Sequence, residues 1–579
     1  AGGDMKALVT TYDASIEKHV AESVIRLLKE PKHFNALLQQ VSQKTALDEQ
    51  VIGYLNLAQD AMNVYQLQEA LAWINIRAIE EAVNDMNQYK GFDQTTNQTR
   101  LAELKMLTGR GFNDIYTNQP AALETANKAL KLKRDILLAN PELDVDKLIV
   151  GRYKIGTTAR QATPRALGTQ NNNWSNQTSA SRGGFDAEIT ELSNLRGDIK
   201  SRTIFKPTNG SSLPDLKLHW DADRILFSMV DTDKRWQVFE VGVDGKGLKK
   251  MIPDLEPDLE FFDATYLPSG KMIAVSNIGY NGVPCVNGND EVGNMCLYDP
   301  KDNSLRRLTF DQDANWAPTV MNNGRVMYTR WEYTDLTHYF SRFVMHMNPD
   351  GTEQKSLYGS GSYFPNSTFD AKPLPGNTSK FVGVISGHHG VTRSGRLMIF
   401  DPAKSRKSEK GMLQELPFRD RKIEPIVKDR LVDGVWPQFI KPYPLNDKYF
   451  LVAAKLNENA LWGIYLIDVF DNLTLIAEYE GEGLICPIPV KKTPTPPIIP
   501  EKIKPGDKEA TVFIQDIYEG EGLKGVPRGT VKAFRVLSYE YAYNKTPSDH
   551  WAQGVQSGWD IKRLLGTVPV EEDGSAMFK

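Results

Sequence analysis

The sequence predicts a multidomain α plus β chain with an N-terminal helical domain, a six- or seven-bladed β-propeller and the start of a C-terminal β domain. Three observations predict it. Apolar residues recur at three- and four-residue spacing through the first part of the chain. A strand–turn–strand pattern then recurs from Leu216 onward. A proline-rich stretch follows, and the strands after it lack that spacing.

Residues 1–145 form the helical domain. Asp13–Leu28, Asp60–Met86 and Ala121–Leu138 carry the helical period, and in the last Leu123, Ala126, Ala129, Leu130 and Leu137 make one stripe that Asn140-Pro141 stops. The propeller spans 146–486. Thr157–Gln177 is rich in Gln, Asn, Thr and Ser, which predicts a long surface connection. The recurring strand pairs are LKLHWDADRILFSMV (216–230), FFDATYLPSGKMIAVSN (261–277), WAPTVMNNGRVMYTRW (316–331), FDAKPLPGNTSKFVGVIS (369–386) and WPQFIKPYPLNDKYFLVAAK (436–455). Their starts lie roughly 45 to 67 residues apart, the chain length of one four-stranded blade. Strands near Leu148–Lys154 or after Leu473 would close the ring. Residues 487–509 form a linker whose proline density predicts an extended strap. Residues 510–579 open a further β domain, with strands at 510–518 and 530–543. The last residues follow a DGSA turn, a mid-pattern position that leads us to expect further chain.

Composition bounds the function. The chain has 579 residues and a formal net charge of -4, with 40% hydrophobic and 25% charged residues, ordinary for a globular protein. The cluster KSRKSEK (404–410) is short and mixed, so nucleic acid is not expected as a partner. No run of about 18 apolar residues exists, so no membrane span is expected. Of three cysteines, Cys285 and Cys296 flank a Gly/Asn-rich loop that would bring them together as a disulfide, which implies an oxidising compartment; free thiols are the other reading. Cys486 reads as buried structure.

Candidate chemistry concentrates after the third strand pair, where Arg330, Glu332, Tyr333, Asp335, His338 and Tyr339 crowd together. A strand pair needs only alternating apolar residues and a turn, so these are surplus to the scaffold. Arg330 and Glu332 share a strand face, as a clamp between blades or as a contact to substrate or partner. His388 and His389 are bracketed by Gly387 and Gly390, which let the backbone expose imidazoles. Adjacent side chains on a strand point opposite ways, so one histidine at most faces a given site. His338, His388 and His389, with Asp335, could hold a divalent metal such as Ca or Zn; backbone-bonding loop histidines are the alternative. Asp311 and Asp313 read as turn residues, because no glycine follows at the position a calcium loop requires. The Gly-x-Ser-x-Gly elbow, the P-loop and His-Glu-x-x-His do not occur.

The segments FDQDANWAPTVMNNGRVMYTRWEYTDLTHYFSR (310–342), SGHHGVTRSG (386–395), VPRGTVK (526–532) and WDIKRLLGTVPVEEDGSAMFK (559–579) resemble the hydrazine synthase alpha-subunit-like family over roughly Leu148–Lys579. The resemblance implies a bacterial envelope propeller protein, periplasmic or otherwise exported, with protein partners in an envelope complex. It implies a propeller followed by a domain carrying c-type haem. Haem attachment needs Cys-x-x-Cys-His, and this sequence has none. A c-type haem is therefore expected only through further chain or a partner. The function expected is a scaffold or subunit of a c-type-haem redox complex, with two alternatives: a non-catalytic ligand- or glycan-binding propeller, and a metal-dependent hydrolase at the propeller mouth.

Overall fold

The computed structural model describes residues 63–579 apart from 113, 116–119, 284–285, 287–288, 333–340, 363, 377–378, 427, 505, 521 and 541–560. Predicted features at Asp13–Leu28 lie outside the described residues. The chain divides into two compact units, Ala1–Leu143 with Phe470–Thr474, and Asp144–Val469 with Leu475–Lys579.

In the first unit, helices run over Ile76–Met86, Gln94–Gly109 and Pro120–Leu137. The long helical pattern expected over Asp60–Met86 is interrupted because Asn75 starts a new helix, its side chain accepting the amide of Ala78 at 3.2 Å. Asp93 caps the next helix through the amide of Thr96 at 3.1 Å. Ile79, Ala82, Val83, Leu104, Ala126, Ala129 and Ile136 make the core.

The second unit is antiparallel β structure. Four-stranded sheets run, in hydrogen-bonded order, over Leu216–Leu218, Arg224–Val230, Trp236–Gly242 and Lys249–Lys250; over Phe261–Tyr266, Met272–Ser276, Asn294–Asp299 and Ser304–Arg307; and over Gln438–Pro444, Tyr449–Lys455, Gly463–Asp468 and Leu473–Ala477. An eight-stranded sheet joins Asn315–Val320, Val326–Trp331, Arg342–Met347 and Lys355–Tyr358 to Ser367–Pro373, Phe381–Ser386, Arg396–Phe400 and Met412–Leu416. Among the described residues, the strand ladder joins the two halves at the parallel pair Arg342↔Ser367. In the remaining four-stranded sheet, the late strand Glu482–Pro489 pairs with Lys147–Lys154, followed by Ala187–Ser193 and Lys200–Phe205. This joins the two ends of the propeller sequence in one sheet.

Two expectations are corrected here. Pro487 lies inside the strand Glu482–Pro489, where proline was expected to exclude one. The strand is the edge of its sheet, so a residue without an amide hydrogen costs no ladder bond on its open side. The polar segment after Thr157 is a surface connection only in its first part, where Thr157, Thr158, Thr163 and Arg165 are exposed; Asn173, Ser175, Asn176 and Gln177 are all buried. Its asparagines are tied to other loops. Asn173 Nδ2 donates to the carbonyls of Gly387 at 3.0 Å and Val391 at 2.9 Å, its Oδ1 accepts from the Arg393 amide at 2.7 Å, and Asn176 donates to the Glu291 carbonyl at 2.6 Å. Polar composition marks a plug here, because its groups replace water with backbone partners.

Beyond the strap, Val512–Ile514 pairs with Ala576–Phe578, and Ala533–Glu540 pairs with Ile561–Pro569. Among the described residues, no helix is long and apolar enough to cross a membrane.

Candidate functional site

Tyr333, Asp335, His338 and Tyr339 lie outside the described residues. Arg330 ends the strand Val326–Trp331, and its guanidinium reaches Asp311 at 3.1 Å and Glu332 at 2.8 Å. This charge pair binds the strand to the turn before it. His388 and His389 lie in the bend after the strand Phe381–Ser386, so strand alternation does not separate them: their rings are 4.3 Å apart and both pack against Trp174, with His388 buried and the His389 side chain 41% exposed. The His388 imidazole sits between the rings of Trp174 and Trp331, and its Nδ1 lies 2.8 Å from Arg342 Nη1. Burial, then the neighbouring guanidinium, then His389, hold its pKa well below the ordinary imidazole value. A metal on that nitrogen would face the Arg342 cation directly. His389 Nδ1 pairs with the Asp429 carboxylate at 2.7 and 2.8 Å. Arg342 also donates to the Asn173 carbonyl at 3.0 Å and stacks over Trp331 at 4.4 Å. These groups pin the plug segment to the loops around it. Of the expected Cys285–Cys296 bridge, Cys285 lies outside the described residues, and Cys296 is a buried free thiol whose pKa burial pushes up to about 12.

One ligand-like triad stands among the described residues: His219, Asp221 and Asp223. It is a hairpin turn, in which the Asp221 amide donates to His219 Nδ1 at 3.2 Å and the Ala222 amide to the His219 carbonyl at 2.8 Å.

A second constellation was not foreseen. The inner edge strands carry, at one level, Asp263, Ala317, Asp370, Lys441 and Cys486, all with positive φ between 46° and 54°. The ladder shifts register immediately after each of Phe262, Trp316, Phe369 and Ile440, so each left-handed residue sits in a bulge. Bulges turn these side chains toward the middle. Carboxylates then cap the amide of the corresponding residue on the following sheet. Asp215 Oδ2 accepts from the Asp263 amide at 2.9 Å, Asp263 from the Ala317 amide at 2.7 Å, and Asp370 from the Lys441 amide at 3.3 Å. Asp215 also accepts the Ser228 amide and hydroxyl, both at 2.8 Å. Its burial and the charge of Asp263 push its pKa up to about 6. Asp370 takes Lys441 Nζ at 2.9 Å; burial works against its charge, but that ammonium holds it below the ordinary carboxylate value. Beneath this level, Arg393 is buried between Trp316 and Phe369, 4.4 Å from each ring, with its Nη2 on the Ser175 carbonyl at 2.6 Å. Above it lies a cavity of about 550 Å3, bounded by the inner strands and by Lys491–Pro497 of the strap. The strap is fixed by its Thr493 amide on the Trp220 carbonyl at 3.0 Å and by the Lys502 amide on Asp350 at 2.6 Å. The signal was present in the sequence as the repeated Phe-Asp-Ala of 262–264 and 369–371. An aspartate inside an otherwise apolar strand is costly unless it has a structural partner.

Residues 529–579 match the family described as the hydrazine synthase alpha subunit middle domain. The hydrazine synthase of Kuenenia stuttgartiensis has a similar fold, with a TM-score of 0.54 at 15% identity over 75% of this chain. This chain is similar to the hydrazine synthase alpha subunit. It covers 64% of the Kuenenia chain, less than two thirds of its length. TolB from Acinetobacter baumannii matches at a TM-score of 0.37 and 10% identity, over 63% of this chain and 72% of that one. Comparison with curated proteins gave no match. The hydrazine synthase alpha-like residues 529–579 include the strand pair Ala533–Glu540 and Ile561–Pro569, beyond the strap.

Proposed function

We propose that this protein is a six-bladed propeller subunit of an exported bacterial redox complex, a scaffold for a c-type haem carried on further chain or on a partner. The observation that carries the reading is the match of residues 529–579 to the middle domain of the hydrazine synthase alpha subunit, placed directly after the sheets. Six four-stranded sheets support the blade count once the eight-stranded sheet is divided at its single parallel pair. The inner strands touch in sequence, and Glu482–Pro489 returns to Leu216–Leu218.

Residues of this chain do not fit covalent haem attachment. Cys-x-x-Cys-His is absent from the sequence, and Cys296 and Cys486 are buried in strands far from each other along the chain. A c-type haem would therefore be held by further chain or by a partner, not by residues 1–579. The described polar groups around His388 support a scaffold role, because guanidinium, imidazole and indole are spent on fixing loops to one another. The test is isolation of the protein from its source under mild conditions, followed by a haem-stained denaturing gel. A haem-staining band that co-purifies in fixed ratio, or haem staining of a form of this protein longer than residues 1–579, supports the reading. A monodisperse, haem-free protein without partners overturns it.

A further inference from the structure

We propose that the cavity between the inner strands and the proline-rich strap is a binding site for a small oxyanion, held between Lys217 and Lys372.

The argument begins with the placement of charge. The cavity of about 550 Å3 is lined by carboxylates and by lysines. Its carboxylates already have partners: Asp370 holds Lys441, Asp215 caps three donors, and Asp263 caps the Ala317 amide. Lys217 and Lys372 come from inner strands on opposite sides of the same cavity and their amines meet across it, and the strap contributes Lys491. Among the described residues, no carboxylate lies within ion-pair distance of any of these three amines, and Lys372 Nζ reaches only the Thr319 hydroxyl at 3.3 Å. Two cationic side chains packed together are unfavourable when neither is directly paired, and the Asp370 and Asp215 carboxylates, already engaged, offset this only at a distance. Lys372 shows the strain: burial first, then the charge of Lys217, hold its pKa well below the ordinary lysine value. It borders the cavity, so it is partly open to the space within while protein surrounds it.

An oxyanion removes this conflict. It accepts hydrogen bonds from both ammoniums, and charge-assisted bonds of this kind are short and strong. Lys491 brings a third positive charge from the roof, so the strap would close on the occupied site. Trp220, Tyr266 and Tyr443 supply walls that suit the body of a small organic acid as well as an inorganic anion. Nothing in this inference depends on a haem-bearing partner.

The test is isothermal titration of the full chain at low ionic strength with inorganic phosphate and, separately, with malonate, using chloride as the non-oxyanion control. Saturable one-site binding of phosphate or malonate is expected, with net proton uptake above neutral pH as Lys372 becomes charged. Lys217→Met and Lys372→Met should each weaken it at least tenfold, and Lys217→Arg should retain it. Both methionine variants relieve a like-charge contact, so their melting temperatures should not fall, and a thermal melt confirms that they are folded. Binding that is unchanged in both folded methionine variants would overturn the proposal, as would the absence of saturable binding of either oxyanion to the unaltered protein. Measuring haem partners separately distinguishes this failure from failure of the scaffold reading.

Discussion

Asp370 and Lys441 show how a single buried pair is worth more intact than its parts. The ammonium and carboxylate meet at 2.9 Å with only 24% and 11% of their side chains exposed. Removing one partner leaves the other charged and uncompensated, which costs about 3 kcal/mol. Asp370→Asn and Lys441→Met should each lower the unfolding free energy from denaturant titration by that amount, and the double variant should recover a large part of the loss. His388 makes a pH prediction. Its folded pKa lies below the ordinary imidazole value of about 6.5, so the unfolded chain binds the extra proton first on acidification. Its contribution to stability is therefore present above about pH 6.5 and is lost as pH falls below it. Proton NMR should show the His388 ring resonances unmoved from pH 7.5 to 5.5. Titration of that ring near 6.5 would contradict the buried contact with Arg342. At this scale the sequence showed the histidines but not their facing, because they lie beyond the strand end, where alternation does not apply, and both rings meet Trp174. It did not show Arg342 or Asn173, since their partners lie on distant loops.

At the scale of elements, the strand pairs were legible because alternation and turn residues are local. The bulges were not, since a left-handed residue in a strand is set by neighbours on the next sheet. Asp263 and Asp370 carry the pattern, while Ala317 keeps the conformation without the carboxylate. The plug was misread because polar composition usually marks exposed chain, whereas Asn173 and Asn176 are buried with partners on four carbonyl and amide groups. Asn173→Ala should cost about 2 kcal/mol by leaving those groups unsatisfied, and hydrogen exchange of the Arg393 amide should accelerate. Gly395 gives a steric test at the start of Arg396–Phe400. A side-chain carbon there would run into the Ile385 carbonyl oxygen, whose backbone cannot yield easily. Gly395→Ala should destabilise by about 2 kcal/mol; an unchanged melting temperature would show that the two strands are not packed this closely.

At the scale of the molecule, the organising fact is the pairing of Glu482–Pro489 with Lys147–Lys154, which ties the two ends of the sheet-forming chain together. That closure was expected only in outline, as a strand near Leu148–Lys154 or one after Leu473. Both contribute, because each end alone would leave an unpaired edge. Amides of Val150 and Arg152 should therefore exchange as slowly as those of the central strand Tyr449–Lys455, and fast exchange there would mean that the ends are not joined. The central claim, that this propeller serves a redox complex whose haem is carried elsewhere, is tested most directly by the reduced-minus-oxidised absorption spectrum of the protein isolated with its natural partners. The account predicts a Soret band with sharp α and β bands in the intact assembly, absent from a protein made of residues 1–579 alone. A spectrum flat across the Soret region in the intact assembly would contradict it.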